Sequence, residues 1–285
     1  MQIQMKNSAL PYSTAFSSLG CPNASWEGLC DLCRRFGIRE LEIRALEGML
    51  DLPEYLSKRF GSPAAWAAAV EAEDLHVSGL STSLKLVGSK PDDRVAFLRF
   101  LPWADAVGGA PLRVFDGGTP EDGLSGNALQ EALDTIDWWR LEKARSGWIS
   151  DIIIETHDSM VRSDEVCLLQ RSLALPVDIL WDTHHTWKKG GEEVSATWQA
   201  IGQWVRHIHV KDSIPQPSAR HPFTYVLPGE GVFPLRHTLA LLMDRQFDGV
   251  VSLEWERMWH PYLGEIEEAL EAMQTLYEQV HEVDQ

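Results

Sequence analysis

Four short segments of this 285-residue chain end in side chains of the types that can bind divalent metals: IIIETHD at 152–158, ILWDTHHTW at 179–187, HIHVKD at 207–212 and SLEWE at 252–256. Side chains alternate along a β-strand, so the apolar and polar members of such a segment point to opposite faces. With Ile152 and Ile154 on one face, Ile153, Glu155 and His157 lie on the other. The same parity brings Leu180 and Asp182, then His207, His209 and Lys211, then Ser252, Glu254 and Glu256 to that second face. Trp181, Ile208, Val210, Leu253 and Trp255 pack away from it. From Glu155 to Asp182 is 27 residues, from Asp182 to His209 again 27, and from His209 to Glu254 it is 45. Two Glu, one Asp and one His are a mainly hard-oxygen donor set with a single imidazole, which suits one Mn²⁺ ion, with Co²⁺, Mg²⁺ or Zn²⁺ as alternatives. Three clustered carboxylates repel one another, and a divalent cation would hold them together.

Donors on four segments need a scaffold that brings strand ends together. Short β-branched runs alternate with longer amphipathic stretches, the pattern of βα units around a parallel sheet. The expected strands are Ser13–Ser17, Glu40–Arg44, His76–Ser81, Leu112–Phe115, Asp151–Glu155, Val177–Asp182, Arg206–Lys211 and Val250–Trp255. The expected helices are Trp26–Phe36, Pro63–Glu73, Asp92–Val107, Ala128–Arg145, Ser163–Leu173, Val194–Trp204, Pro234–Arg245 and Tyr262–Val280. Eight of each match an α/β fold, the (β/α)8 TIM barrel, as one domain over 1–285; that fold builds its sites at the C-terminal ends of the strands. No G-x-G-x-x-G or G-x-x-x-x-G-K-[ST] turn of an open nucleotide-binding sheet occurs. The connection Ser213–Gly231, rich in Pro, Gly and Ser, reads as a long irregular loop in a functional position.

Composition narrows the partners. Asp plus Glu number 42 against 25 Lys plus Arg, a formal charge of −17, which repels phosphate backbones and argues against nucleic acid as a partner. A small polyhydroxylated substrate fits better. The last helix, Gly264–Gln285, contributes seven of those acidic residues and no Lys or Arg, as a solvated face does. The first residues lack a signal-peptide pattern and no apolar run reaches the ~20 residues of a membrane span, so no membrane association is expected. Cys21, Cys30, Cys33 and Cys167 are too few for a disulfide framework and fit a reducing cytoplasm. Cys30 and Cys33 fall inside a helix without a second pair and read as packed thiols. Lys188 and Lys189 beside Gly190 and Gly191 read as a solvated loop able to meet a phosphate. His157, His184 and His207 read as hydrogen-bonded supports rather than ligands.

In this order and spacing the motifs resemble the xylose isomerase-like TIM-barrel superfamily, the sugar phosphate isomerase/epimerase group that includes ketose 3-epimerases, hydroxypyruvate isomerase and inosose dehydratase. The resemblance covers nearly the whole chain. It implies Glu155, Asp182, His209 and Glu254 as ligands of one divalent metal, and His185, from the D-x-x-H run beginning at Asp182, as a substrate contact. The H-x-H-x-K-D run ending at Asp212 and the L-P-G-E-G turn at 227–231 are also similar to the family's seventh unit. Glu42 and Arg44 occupy a position the family often uses for substrate, and an internal ion pair explains them equally well. The resemblance further implies Glu155 and Glu254 as an acid/base pair that moves a proton through a metal-stabilised enediolate, in an isomerase or epimerase of a small sugar or keto-polyol. Lys211 would protonate a leaving hydroxyl or bind a substrate oxygen. A metal-dependent dehydratase of a cyclic keto-polyol is the alternative within the same chemistry. An apurinic endonuclease-like hydrolase would need further His ligands where Ser78, Leu80, Thr82, Val114 and Asp116 stand, and a non-catalytic sugar-binding barrel would leave the four donors unexplained. Homo-oligomerisation stays open.

Overall fold

The computed structural model describes residues 10–283, with side chains to residue 280. Residues 1–9, read above for a leader, and 284–285, at the acidic end of the last helix, lie outside the described residues. The chain runs β1 (Ser13–Ser17), α1 (Trp26–Phe36), β2 (Glu40–Ile43), α2 (Leu52–Phe60), α3 (Pro63–Ala72), β3 (His76–Val87), α4 (Pro91–Leu98), α5 (Leu101–Ala106), β4 (Leu112–Gly117) and α6 (Ala128–Ser146). It continues through β5 (Ile152–Glu155), α7 (Ser163–Ser172), β6 (Asp178–Asp182), α8 (Thr183–Lys188), α9 (Val194–Ile201), β7 (Val205–Val210), β8 (Asp212–Ile214), β9 (Thr224–Val226), α10 (Leu235–Asp244), β10 (Val250–Leu253) and α11 (Ile266–Val283). Strands β1 to β7 and β10 close into a parallel eight-stranded barrel, with β10 pairing β1. This is the TIM barrel the sequence pattern predicts.

Strand parity appears in the packing. Ile152, Ile154, Ile179 and Trp181 join the apolar core between sheet and helices, whereas Ile153 and Leu180 are buried but stand apart from it, inside the barrel. The helices carry their own stop signals. In α1, the Ser25 hydroxyl accepts from the Gly28 N–H at 3.2 Å, Glu27 lies in the first turn, and Arg34 and Arg35 in the last. Gly37, at φ 65°, then ends the helix in the left-handed conformation that glycine adopts without strain. Burial pushes the Cys30 and Cys33 thiols of α1 up in pKa, as expected of packed, unreactive groups.

Several boundaries differ from the sequence reading. Strand β3 runs six residues beyond Ser81 to Val87, with a register shift between Ser81 and Lys85 against β4. The expected helix Asp92–Val107 is two helices, because Pro102, lacking an N–H, sits at the start of α5 and cannot continue α4. The last helix starts at Ile266, after Pro261 and Gly264, rather than at Tyr262. Helices α2 and α8 were not expected. The connection 213–231 is not irregular throughout: β8 and β9 pair antiparallel as a small hairpin, with Ser213 opposite Tyr225. The acidic Glu265, Glu268, Glu271 and Glu278 near and along α11 are exposed, as a solvated face requires. No helix among the described residues is long and apolar enough to cross a membrane.

Candidate metal centre

Strands β5, β6, β7 and β10 are consecutive around the barrel. Register sets Asp182 beside His209 and His209 beside Ser252, and the chain continues past β10 so that the Glu254 N–H donates to the Val210 carbonyl at 3.1 Å. One donor atom from each of Glu155, Asp182, His209 and Glu254 therefore lies within 4.8 Å of the other three. All four residues are buried, His209 and Asp182 completely.

The hydrogen-bond accounting shows that this cluster fits a cation. His209 Nε2 donates to Glu42 Oε2 at 2.7 Å, which leaves Nδ1 pointing between Glu155 Oε1 at 3.5 Å and Glu254 Oε1 at 3.4 Å. Nδ1 has no hydrogen-bond partner. Buried polar atoms are almost always satisfied, and a ring nitrogen facing two carboxylate oxygens calls for positive charge between them. Separations of this size are those of neighbouring donors around an ion held at about 2.1 Å. Burial alone would push the His209 pKa down, but Glu42 and Glu254 hold it well above its ordinary value, so without metal a proton supplies part of that charge.

The surrounding groups orient the donors. Asp182 Oδ1 caps α8 by accepting the His185 N–H at 2.8 Å, which aims its other oxygen into the cluster. Glu42 lies 3.2 Å from His207 Nε2 and accepts from the Ser81 hydroxyl at 3.0 Å. Against the upward pull of burial, His209 and His207 hold Glu42 well below the carboxylate range. The Lys211 ammonium bridges Asp182 Oδ2 and Glu256 Oε1, each at 2.7 Å, and also pairs with Glu254. Burying an unpaired ion costs several kcal/mol, so Lys211 and the carboxylates of Asp182, Glu254 and Glu256 offset one another's charge. Its own pKa is held well above the ordinary value by Asp182, Glu254 and Glu256, against burial.

Above the cluster opens a cavity of about 290 Å³, at the small end for a small-molecule site. Of the sequence-predicted site residues, Glu155, Glu254, His185 and Arg44 line it. Glu42 and Lys211 do not. Glu42, expected at the substrate or paired to Arg44, instead faces His207 and His209, while Arg44 Nη2 donates to Ser83 Oγ at 3.0 Å. Lys211 is drawn down among the carboxylates instead of toward the cavity. His185 is neutral: burial, with Lys189 and Lys211 nearby, pushes its pKa well down. His184 is a support as expected, its Nε2 2.8 Å from Ser213 Oγ and its ring packed on Phe223, Tyr225 and Phe233, which ties the hairpin to α8.

Other residues complete the wall. His157, read above as an inward-facing support, is there with its Nδ1 2.9 Å from Asp158, as is Lys189, read above as part of a solvated loop able to meet a phosphate. Arg113 and Arg220, which the sequence reading did not single out, join them. Arg113 could have been found, since an Arg on the inward face of the apolar strand LRVFDG is anomalous for packing alone. Nearby Asp116 also clusters with His157 and Asp158, but its carboxylate already accepts backbone N–H groups from Gly117, His157, Asp158 and Met160. A wider groove of about 770 Å³, lined by Asp31, Arg35, Arg257 and Glu267, gathers charges that are paired on the surface.

Comparison with known proteins matches residues 30–278 to the family described as xylose isomerase-like TIM barrel. Among solved structures, the probable 3-DHS dehydratase AsbF of Bacillus anthracis is similar at TM-score 0.72 and 16% identity, over 92% of this chain and 98% of that one. The IolI protein with a bound zinc atom is similar at TM-score 0.73 and 18% identity, over 94% and 98%. The 3-keto-D-glucoside 4-epimerase YcjR of E. coli is similar at TM-score 0.66 and 14% identity, over 93% and 99%. At such identities these likenesses speak for the fold alone. A sequence search of curated proteins finds no match.

Proposed function

The chain belongs to the xylose isomerase-like TIM-barrel family, and from that premise we propose that it is a divalent-metal-dependent isomerase or epimerase of a small sugar or keto-polyol. One observation carries the reading: Glu155 and Glu254 belong both to the four-donor cluster and to the cavity wall, on strands separated by β6 and β7. Asp182 and His209 would complete the ligand set, with Mn²⁺ the first choice for its oxygen-rich donors; the zinc of the structurally similar IolI keeps Zn²⁺ among the alternatives. A divalent cation bound here would polarise a substrate carbonyl and its neighbouring hydroxyl, which acidifies the C–H between them.

The protein's own groups then move the proton. Both glutamates are held ionised against burial, Glu155 by Arg113 and Glu254 by Lys211 and His209, so each can act as a base. One removes the C–H proton; its return by the same glutamate to the adjacent carbon isomerises the substrate, whereas delivery from the opposite side by the other glutamate, once it has taken up a proton from water, inverts the carbon, and the first glutamate then releases its proton to water. His185, as neutral imidazole, orients a substrate hydroxyl.

A second reading, the dehydratase, is favoured by His157. Burial would lower its pKa, but Asp158 and Glu155 raise it above the ordinary value, which puts a proton donor for a leaving hydroxyl on the cavity wall. The test is to incubate Mn²⁺-loaded protein in D₂O with a panel of ketoses and cyclic keto-polyols. Deuterium uptake without loss of water supports the first reading, and an absorbing enone supports the second. A protein that binds metal but gives neither with any member of the panel overturns both.

A further inference from the structure

Arg113 is a charge without a full set of partners. It is 4% exposed, projects from β4 inside the barrel, and lies with its guanidinium carbon 3.9 Å from the centre of the Phe115 ring. Its Nε comes within 3.3 Å of Glu155 Oε2, yet no hydrogen bond joins the guanidinium to any described residue, and Nε and Nη1 are buried without a hydrogen-bond partner. A guanidinium carries five donors in a planar fork, and each buried donor left unmade costs about 1–3 kcal/mol. Arg44, 7% exposed, shares the cavity wall and uses one donor, toward Ser83. Burial and the neighbouring Arg113 charge push the Arg44 pKa down to about 10, so the two arginines repel across the cavity. Glu155 does not resolve this, because its other oxygen faces His209 in the four-donor cluster.

We propose that the cavity takes a substrate bearing an oxyanion, a carboxylate or a phosphate, held by the forks of Arg113 and Arg44. This rests on the reading of the cavity as a substrate site. Planar guanidinium forks match both oxyanions with paired, charge-assisted hydrogen bonds. Lys189 and Arg220 make four cationic side chains on a wall whose carboxylates are Glu155, Glu254 and Glu256. Two of those three belong to the four-donor cluster and the third is paired with Lys211. In a chain of net charge −17, a cationic mouth concentrates a small anion that the rest of the surface repels.

The experiment is calorimetric titration of three matched cyclic polyols, myo-inositol, quinate and myo-inositol 1-phosphate, into Mn²⁺-loaded and metal-free protein. At least one anionic probe should bind about tenfold or more tightly than myo-inositol, the ratio expected from one or two charged hydrogen bonds. Quinate ahead identifies a carboxylate, and the phosphate ahead identifies a phosphate. Arg113→Gln and Arg44→Gln should each shrink that ratio, while Arg113→Lys, which keeps the charge and loses the fork, should leave an intermediate one. Because the readout is a ratio within each protein, a loss of folded material affects both probes alike. No anionic preference in the natural protein, or a preference unchanged in both Gln variants, overturns the proposal. Failure to bind Mn²⁺ in a separate titration overturns the metal-dependent reading instead, and the metal-free titrations still decide the anion question.

Discussion

His209 Nε2 and Glu42 Oε2 meet at 2.7 Å across the barrel interior, from two strands, β7 and β2, that are not neighbours in the sheet. A carboxylate on the far nitrogen of a metal-binding imidazole fixes which nitrogen faces the ion and strengthens it as a donor. Glu42→Gln should therefore weaken Mn²⁺ binding by about 10-fold to 100-fold while the fold is kept. Calorimetry of the variant, with circular dichroism as the check on folding, measures this; unchanged affinity would make Glu42 a packing partner only.

Metal affinity should fall on acidification. His209 is held protonated by Glu42 and Glu254 against burial, so a metal must displace that proton. Below the raised pKa each unit of pH should cost about tenfold in apparent affinity, since one proton competes with one ion. Asp182, raised by burial and by Glu254 and Glu155 despite Lys211, adds a second competing proton at lower pH and steepens the fall. Mn²⁺ titrations between about pH 5.5 and 8 test this, and a flat profile would remove His209 from the ligand set.

Glu155→Gln and Glu254→Gln should each lower turnover by about 10²-fold to 10⁴-fold, the usual worth of a positioned acid or base. The two should differ in isotope exchange. The variant that keeps the base should still exchange the substrate C–H with D₂O while forming no product; the other should lose both. Turnover surviving in both variants would sink the acid/base assignment.

Asp212 accepts backbone N–H groups from Ser213 at 2.8 Å, Gly229 and Gly231 at 2.9 Å, and Phe233 at 3.1 Å. This is what the sequence motif L-P-G-E-G is for: a Cβ on Gly231 would overlap Asp212 Oδ1, so only glycine lets the turn close on the carboxylate. Asp212→Ala strands these donors, and at about 1–3 kcal/mol for each one left buried the chain should lose on the order of 3 kcal/mol of stability. Thermal unfolding measures it. Gly231→Ala should be harmful alone and still harmful in the Asp212→Ala background, because its Cβ would also meet the Ser213 backbone carbonyl oxygen at 2.6 Å.

The four donors were legible because each ends a short strand, and alternation assigns its face with no knowledge of the tertiary structure. Glu42 was visible as an inward residue, but its choice of His209 over Arg44 depends on which strands face each other across the barrel, which one strand cannot report. Arg113 was harder to see because it lies near the start of β4, away from the C-terminal strand ends where this fold gathers its site, and reaches the cavity through the length of its side chain. Helix α2 carried a readable signal, Asp51 capping the Glu54 N–H with Pro53 in the first turn. The β8–β9 hairpin did not, because its three-residue strands are anchored by the ring of His184, a distant contact rather than a local pattern.

The two parts of the site have different structural origins. The donor cluster is written into strand register, where a slip of one residue would turn every ligand out of the barrel. The cavity wall draws in addition on segments outside the barrel strands, Tyr225 from β9, Arg220 and His221 from the loop joining β8 to β9, Trp259 and His260 from the turns after β10. Exchange of residues 213–231 for the corresponding segment of another barrel would then reshape one side of the cavity while leaving the donor cluster and the arginine pair in place, so lineages of this fold are free to vary the shape of what they admit while inheriting how they react.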